Sequence, residues 1–296
     1  MRAMEISTPL PSRALIAVTG EDWRGFLQGQ LTQDVETLEP GECRFGALLT
    51  PQGRLLFDMF IVGREDGCWL DVEASGRDAL IQRLTMYKLR AKVGFEALES
   101  AGSNPAPAPN TVSALFPAHP DESRDPSGGS AWAPASAGVS GVWVADPRLK
   151  ELGYRGYGAQ AEGDEAAYDL HRLALGVPGP ADWGSDRTYP IEANFDLLNG
   201  IDFKKGCFVG QETTSRMKRR GAIKNRMLPI AFDGPAPPFG AEILNGERRA
   251  GEVLSGRDGV AMALLRLDRV DGDLTADGRP VRVQPSYALP LESSSD

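Results

Sequence analysis

The sequence predicts an α+β protein that ends in a small all-β module. Strand and helix patterns alternate over the first hundred residues, whereas the chain beyond residue 226 consists almost entirely of short strand patterns. A stretch rich in Pro, Ser, Gly and Ala lies between these regions. We therefore expect an α+β region over 1–226, interrupted by a surface loop at about 117–140, and a β-barrel or sandwich over 227–296.

The first hundred residues have the pattern of helices laid on one side of an antiparallel sheet. Short turns at 51–53 and 65–67 separate apolar runs, which predicts an antiparallel meander. Apolar residues at helical spacing predict one helix over 23–31 and another that opens at Ser75. The predicted strands of this half are 13–18, 45–49, 55–62, 68–72, 93–98 and 112–116.

The later part of the chain predicts fewer helices and more strands. Helical composition is found over 165–175 and over 209–219. Asn245-Gly246 between two strand patterns is typical of a two-residue hairpin loop. Further strands are predicted over 141–145 and 259–267.

Composition excludes several classes of protein. The 296 residues carry a formal charge of -9, which argues against a chain that coats nucleic acid or membrane with its whole surface. The first nineteen residues hold no apolar run long enough for a signal peptide or a membrane span, so we expect a cytoplasmic protein. Three dispersed cysteines and two histidines make a disulfide framework, a zinc site or a tightly bound metal unexpected.

Positive charge is concentrated in one segment, over 204–226. The segment contains a single acid and has a local charge of +7, which indicates an anionic partner met at one place. A solvated basic helix face explains the same pattern. Its eight basic residues are Lys204, Lys205, Arg216, Lys218, Arg219, Arg220, Lys224 and Arg226.

Cys207 lies in this basic segment and has two interpretations. If 209–219 is a helix, Cys207 sits at or just before its N-terminus, where amide N–H groups and the ammonium of Lys205 favour a reactive thiolate. A small buried packing residue is the alternative. Gly206 and Gly210 permit either a close ligand or tight packing, and Cys43 and Cys68, which lie in strand patterns, are expected to pack.

Two other places carry polar groups in apolar surroundings. Residues 26–34 place amides and a carboxylate at the end of an apolar helix, which suits hydrogen bonds to a heterocycle, or equally a helix cap and turn. Asp58 lies in the apolar run 55–62, where a carboxylate is functional, paired or turned outward.

Residues 205–212, Lys-Gly-Cys-Phe-Val-Gly-Gln-Glu, match the K-G-C-[FY]-x-G-Q-E motif of the YgfZ family of folate-binding proteins. That family includes mitochondrial iron-sulfur assembly factors and is similar in fold to the glycine-cleavage T-protein, an aminomethyltransferase that uses tetrahydrofolate. The resemblance also covers the segment 26–35, the turn 51–54, the run 172–203 and residues 251–266. It implies interleaved ferredoxin-like folate-binding modules followed by a β-barrel.

The resemblance implies tetrahydrofolate or a derivative as ligand and a role in iron-sulfur cluster assembly or repair, with indirect effects on tRNA modification. It implies cluster assembly proteins or cluster-containing client enzymes as partners, while the composition predicts no membrane contact and makes nucleic acid an unexpected partner. Ala174 stands where the T-protein has a folate-contacting glutamate, which weakens the case for aminomethyl transfer. The implied catalytic residues are Cys207, Lys205 and Asp58, and the implied ligand-binding residues are Gln28, Gln30, Thr32, Asp34, Gly206, Gly210, Gln211, Glu212 and Arg216.

Two alternatives remain open from the sequence. One is a tetrahydrofolate-dependent aminomethyl or other one-carbon transferase, with Asp58 positioning the folate. The other is a module without enzymatic activity, whose basic segment docks on RNA or on an acidic protein.

Overall fold

The computed structural model describes residues 5–98, 112–117, 142–159, 161–221 and 223–288. The predicted surface loop at 117–140 lies, apart from residue 117, outside the described residues. The chain forms two compact units, each built from separate segments. The first comprises Met1–Leu49, Phe57–Tyr168 and Leu198–Val209, and the second comprises Thr50–Leu56, Asp169–Leu197 and Gly210–Asp296.

The first unit contains two β-sheets. One has five strands in the order β3-β4-β5-β2-β6, and the other has four in the order β1-β7-β9-β8. Strand β4 pairs antiparallel with β5, in agreement with the predicted meander. The strands are β1 Glu5–Pro9, β2 Arg13–Thr19, β3 Cys43–Leu49, β4 Leu55–Arg64, β5 Gly67–Glu73, β6 Gly94–Leu98, β7 Val112–Pro117, β8 Val142–Ala145 and β9 Tyr154–Tyr157.

Two helices pack on one face of the five-stranded sheet. They are α1, Trp23–Gln30, and α2, Arg77–Tyr87. The core beneath them includes Leu27 of α1, Leu80 of α2 and Leu70 of β5, all with no exposure. Burying each such aliphatic side chain stabilises the fold by about 1.5–3 kcal/mol. This core fixes the position of α1, whose carboxyl end is part of the site described below.

The opposite face of the same sheet is charged. Because side chains alternate along a strand, Asp71 of β5 points away from the apolar core. Its carboxylate accepts hydrogen bonds from Arg13 Nε at 2.7 Å, Arg155 Nη2 at 2.6 Å and the Tyr157 hydroxyl at 3.1 Å. Burial opposes the charged form, but Arg13 and Arg155 hold the pKa of Asp71 below its usual value. A buried ionic layer, which we define as Arg13, Asp58, Asp71, Asp146, Arg148 and Arg155, therefore joins the two sheets.

The second unit contains a closed six-stranded barrel in the order β10-β13-β12-β11-β14-β15. Strand β15 pairs back onto β10, which closes the barrel. The predicted hairpin is present, since Asn245 pairs with Arg248 across a two-residue turn. The architecture confirms the predicted fold class, α+β followed by a barrel. The strands are β10 Asn225–Ala231, β11 Glu242–Asn245, β12 Arg248–Arg257, β13 Val260–Arg266, β14 Leu274–Ala276 and β15 Arg279–Val283.

Three more α-helices complete the described chain. They are α3, Glu165–Ala174, α4, Pro180–Trp183, and α5, Gln211–Arg220. Within the described ranges, no helix has the length and apolar character needed to cross a membrane.

Replacement of Asp71 by asparagine is expected to destabilise the protein strongly. The change would leave the guanidiniums of Arg13 and Arg155 buried without their counter-charge, which costs about 3–5 kcal/mol for a buried pair. Urea unfolding measures the loss. The control is Glu21→Gln, which breaks an exposed ion pair with Lys92 and should leave the midpoint unchanged. Equal midpoints for Asp71→Asn and wild type would show that the ionic layer is dispensable.

Candidate functional site

Lys205 binds the carboxyl end of helix α1 from a distant part of the chain. Its ammonium donates hydrogen bonds to the backbone carbonyl oxygens of Gln28 at 2.7 Å, Leu31 at 2.6 Å and Gln33 at 2.9 Å. An ammonium group has three N–H donors, so these contacts use all of them. The last carbonyls of a helix lack partners within it, and α1 has no basic residue in its own last turn.

The charge of Lys205 persists in this setting. Burial lowers the pKa of Lys205 to about 8, although Asp34 and Asp202 act in the opposite direction. Three carbonyl oxygens around the nitrogen also favour the ammonium form. Lys205 is therefore a cation at neutral pH, and its charge faces the carbonyl end of α1.

The residues around Lys205 bind the same part of α1. The Val209 N–H donates to the carbonyl oxygen of Gly29 at 3.2 Å. Phe208 is 8% exposed, and the Lys205 nitrogen lies 5.3 Å from the centre of its ring. Residues 205–209, which we call the cysteine loop, are thus anchored at both ends.

Asp202 shapes the approach to the cysteine loop. Its Oδ1 accepts hydrogen bonds from the backbone N–H groups of Lys204 at 2.7 Å and Lys205 at 3.2 Å. Its own N–H donates to the carbonyl oxygen of Thr32 at 3.0 Å. Sequence reasoning missed this residue, although an Asp that precedes a turn by two or three positions is typical of an Asx-turn.

The cysteine loop exposes Cys207 directly before the buried Phe208. Cys207 is exposed, as are Lys204 and Gly206, and a Cβ built on Gly206 would meet nothing within 4 Å. The other two thiols are less accessible. Cys68 belongs to the apolar core, where burial raises its pKa to about 12, and burial likewise raises the pKa of the half-buried Cys43 thiol.

Helix α5 begins later than the sequence predicts. Its first residue is Gln211 rather than Val209, because Gly210 adopts a left-handed conformation with φ of 80°. Cys207 therefore precedes the helix by four residues, and the effect of a helix end on charge falls off within about one turn. The predicted activation of Cys207 by this helix stays a prediction.

The predicted site residues on α5 belong to the second unit, whereas the cysteine loop belongs to the first. Within the second unit, Arg216 forms an exposed ion pair with Glu212 at 2.5 Å, and Gln211 begins the helix. The turn residue Gly53 packs against the start of the helix, since a Cβ on it would lie 2.9 Å from Thr213 Cβ.

The basic residues of the segment 204–226 are exposed, apart from Lys205 and Arg226. The buried Arg226 binds Asp196 through Nη2 at 2.9 Å and is therefore a structural residue. The remaining basic residues of the segment are Lys204, Arg216, Lys218, Arg219, Arg220 and Lys224, all exposed.

The predicted ligand-binding side chains at the carboxyl end of α1 and just after it mostly serve the fold. Gln28 Nε2 donates to Asp34 Oδ1 at 2.8 Å, and Gln28 Oε1 accepts from the Val35 N–H at 2.8 Å. The fully buried Thr32 donates to the carbonyl oxygen of Gly200 at 2.6 Å and accepts from the Ala47 N–H at 2.8 Å. These residues therefore close the turn after α1.

Gln30 differs from its neighbours. Its side-chain oxygen Oε1 is buried and accepts no hydrogen bond. A buried carbonyl oxygen without a donor costs free energy, and an N–H group of a ligand would satisfy it. Among the four predicted polar residues of this segment, Gln30 is the one that offers an unused acceptor.

Asp58 lies in the buried ionic layer. It is 5% exposed, so it does not face outward, and its Oδ2 accepts a hydrogen bond from Arg13 Nη1 at 3.1 Å. Ala174, at the end of α3, is exposed and has no polar side chain. Neither position therefore offers an unpaired carboxylate to a folate. These residues do not fit a folate held for one-carbon transfer, whereas Gln30 fits an N–H donor of a bound pterin.

A polar cleft of about 460 Å³ lies beside the cysteine loop. It contains three carboxylates and one guanidinium, so its charge opposes the acidic tail of a folate. Its lining residues are Gln33, Asp34, Thr37, Glu42, Cys43, Arg44, Phe45, Pro147, Asn199 and Asp202.

Comparison with known proteins identifies the family. Residues 224–290 match the family model described as CAF17, C-terminal beta-barrel domain. The human protein named iron-sulfur cluster assembly factor IBA57, mitochondrial, is 30% identical over 295 residues, which cover 90% of this chain and 78% of the human protein. The chain belongs to the IBA57 family. The Neurospora crassa IBA57 homolog is 33% identical over 255 residues, which cover 79% of this chain and 56% of that protein.

A solved structure shows the same fold as this IBA57-family chain. The glycine cleavage system aminomethyltransferase T from Bartonella henselae aligns with a TM-score of 0.69 and 20% identity, over 96% of this chain and 86% of that one. The predicted T-protein fold and the predicted kinship with iron-sulfur assembly factors are confirmed, and the narrower YgfZ name stays a prediction. Both IBA57 relatives are named as mitochondrial, and the cytoplasmic location of this chain stays a prediction.

The acid stability of the turn after α1 is expected to depend on Asp34. Burial raises its pKa, but hydrogen bonds from Thr37 and Gln28 lower it to about 2. A carboxylate with a lowered folded-state pKa stabilises the fold above its unfolded value of about 3.9, and that stabilisation is lost as the pH falls towards 2. Asp34→Asn should flatten the stability profile between pH 4 and 2, measured by urea unfolding at each pH. A profile as steep as that of wild type would contradict this role.

Proposed function

We propose that this protein supports the assembly or repair of iron-sulfur clusters, and that Cys207 is the thiol that contacts the cluster as its cargo. One observation carries the proposal. Cys207 is exposed on a loop anchored by its neighbours, whereas Cys68 is in the core and Cys43 is half-buried. Relatives over most of the chain are named iron-sulfur cluster assembly factors, which supports the same conclusion.

The number of thiols limits how the cluster is held. Iron-sulfur clusters are usually held by four cysteine thiolates, and this chain has three cysteines, of which one is exposed. The remaining ligands must come from a partner, either a cluster assembly protein or a client enzyme. When Cys207 binds iron, its sulfur loses a proton to solvent, so the contact weakens as the pH falls.

Because Cys207 would share the cluster with ligands from a partner, the protein would have a supporting role in the delivery or repair of clusters. Client enzymes that carry clusters then depend on it, and tRNA modification is affected indirectly where the modifying enzyme is such a client. The exposed basic residues of α5 suit an acidic surface on the partner, and an RNA-docking module remains the weaker alternative in a chain of net charge -9.

Folate binding is the second part of the proposal. The buried, unpartnered Oε1 of Gln30 supports it, because pterins carry N–H groups that can donate to such an oxygen. The transferase alternative has less support, since Asp58 is paired with Arg13 and Ala174 replaces an acid. Folate would act as a bound ligand, and we assign it no reaction.

Replacement of Cys207 by alanine is expected to abolish function in cells. In cells that lack the native protein, the activity of a [4Fe–4S] enzyme should fall about tenfold or more relative to the wild-type rescue, because a cluster ligand is lost. Immunoblotting must show equal amounts of each variant. The matched control is Cys43→Ala, which removes a half-buried thiol and should rescue fully. Full rescue by Cys207→Ala would refute the proposed role of this thiol.

Tetrahydrofolate is expected to quench the intrinsic fluorescence of the five tryptophans saturably. Gln30→Leu removes the unused acceptor and should raise the Kd about tenfold, as expected for the loss of one well-formed hydrogen bond. Gln82→Leu, at an exposed position of α2, is the control and should leave the Kd unchanged. Absence of saturable binding by the wild-type protein would refute folate binding and leave the role of Cys207 untouched.

A further inference from the structure

Two adjacent lysines precede the exposed thiol, and the structure uses them differently. Lys204 is exposed to solvent. The side chain of Lys205 turns inward, and its three N–H donors bind carbonyl oxygens at 2.6 to 2.9 Å. From the sequence, the Lys205 nitrogen is expected to act on the thiol of Cys207. In the structure it binds the carbonyl oxygen of Gln28, which lies 177 residues earlier in the chain.

We infer that Lys205 is a positioning residue for Cys207: its ammonium holds the cysteine loop against the carboxyl end of α1, so that the thiol points outward from a fixed place. The inference rests on the proposed role of Cys207. It differs from the role suggested by the sequence, in which the charge of Lys205 activates the thiol or holds an anionic ligand.

All three N–H donors of the Lys205 ammonium are used in hydrogen bonds to carbonyl oxygens. Carbonyl oxygens that converge on one nitrogen satisfy an ammonium fully, so no N–H donor is left for a thiolate or a ligand anion. Hydrogen bonds from a charged donor contribute more than neutral ones. The ammonium of Lys205 therefore stabilises the carboxyl end of α1.

The residues of the cysteine loop differ in the direction in which they point. Lys205 and Phe208 point inward, whereas Gly206 and Cys207 between them are exposed. The Val209 N–H fixes the far end of the loop on Gly29. With inward anchors on both sides, the two middle residues are the ones presented to solvent.

Asp202 holds the backbone of both lysines in the same way. Asp202 accepts the backbone N–H groups of both lysines, and so holds the backbone of Lys204 as well as that of Lys205. The two lysines therefore share a backbone anchor and differ in the side-chain nitrogen. A comparison of variants at these two adjacent positions isolates the contribution of the ammonium contacts.

The main experiment measures the mobility of a nitroxide label attached to Cys207 in the full-length protein. Lys205→Met keeps the side-chain length but removes the donors, and should shorten the rotational correlation time of the label about threefold as the loop is released. Lys204→Met is the matched control and should leave the spectrum unchanged. Val72→Ala, in the apolar core of the same unit, should lower the unfolding midpoint without changing the spectrum, which separates local release from general destabilisation.

A second measurement uses the wild-type protein and does not depend on the folding of any variant. During brief acetylation with N-hydroxysuccinimide acetate, Lys205 should react at least about tenfold more slowly than Lys204. Its lowered pKa favours the reactive free amine, but its nitrogen is bound and partly buried, so the reagent reaches it only when the loop opens. Equal acetylation rates for the two lysines would overturn the inference.

A third measurement distinguishes positioning from activation by charge. The rate of Cys207 alkylation by iodoacetamide at pH 7 should be equal or higher in Lys205→Met, because the thiol is exposed in either case. A lower alkylation rate together with an unchanged nitroxide spectrum would show that the charge activates the thiol, and would overturn the inference. If the label responds as expected but Cys207→Ala rescues cells fully, the proposed function fails while the positioning role stands.

Discussion

The contact on which the first unit depends most is the binding of Asp71 by guanidinium groups. This carboxylate has no exposure and lies between Arg13 of β2 and Arg155 of β9, so it joins the two sheets by charge. Strand β5, which carries Asp71, also supplies Leu70 to the apolar core on its other face. One strand thus fixes both layers of the unit, and α1 takes its position from the apolar layer. The carboxyl end of α1 is, in turn, where the cysteine loop is held.

The two buried or half-buried cations Arg13 and Lys205 follow the same logic, since each is matched by a defined set of oxygen atoms. Arg13 binds the carboxylates of Asp58 and Asp71, and Lys205 binds three backbone carbonyls. These groups establish geometry, and Cys207 is the exposed thiol of the loop. The fold of an aminomethyltransferase is therefore found here in a chain whose Asp58 carboxylate is committed to an ion pair.

Much of the fold follows from local patterns in the sequence. Alternating apolar residues, the Asn245-Gly246 turn and the helical spacing of Leu80 and Leu84 each specify their element within a few residues, so these elements and the barrel were predictable. The short elements β1, β9 and α4 were not predicted. Contacts between distant segments were not. Gln28 and Thr32 could equally cap a turn or bind a ligand, because both uses require the same donors and acceptors. The partners of Lys205 and Asp58 lie far along the chain, and only the folded structure shows that those charges are matched.

The exposure of Cys207 also determines how the protein would respond to oxidation. A disulfide forms when a thiolate attacks an oxidised sulfur that it can reach, such as that of a sulfenic acid or another disulfide, and displaces hydroxide or a thiolate. Of the other two thiols of this chain, Cys68 lies in the apolar core and Cys43 is half-buried, and burial raises the pKa of both. Oxidation of Cys207 would therefore join it to a second molecule, such as another copy of the chain or a small thiol. The same exposure makes the Cys207 thiol sensitive to the redox state of its compartment.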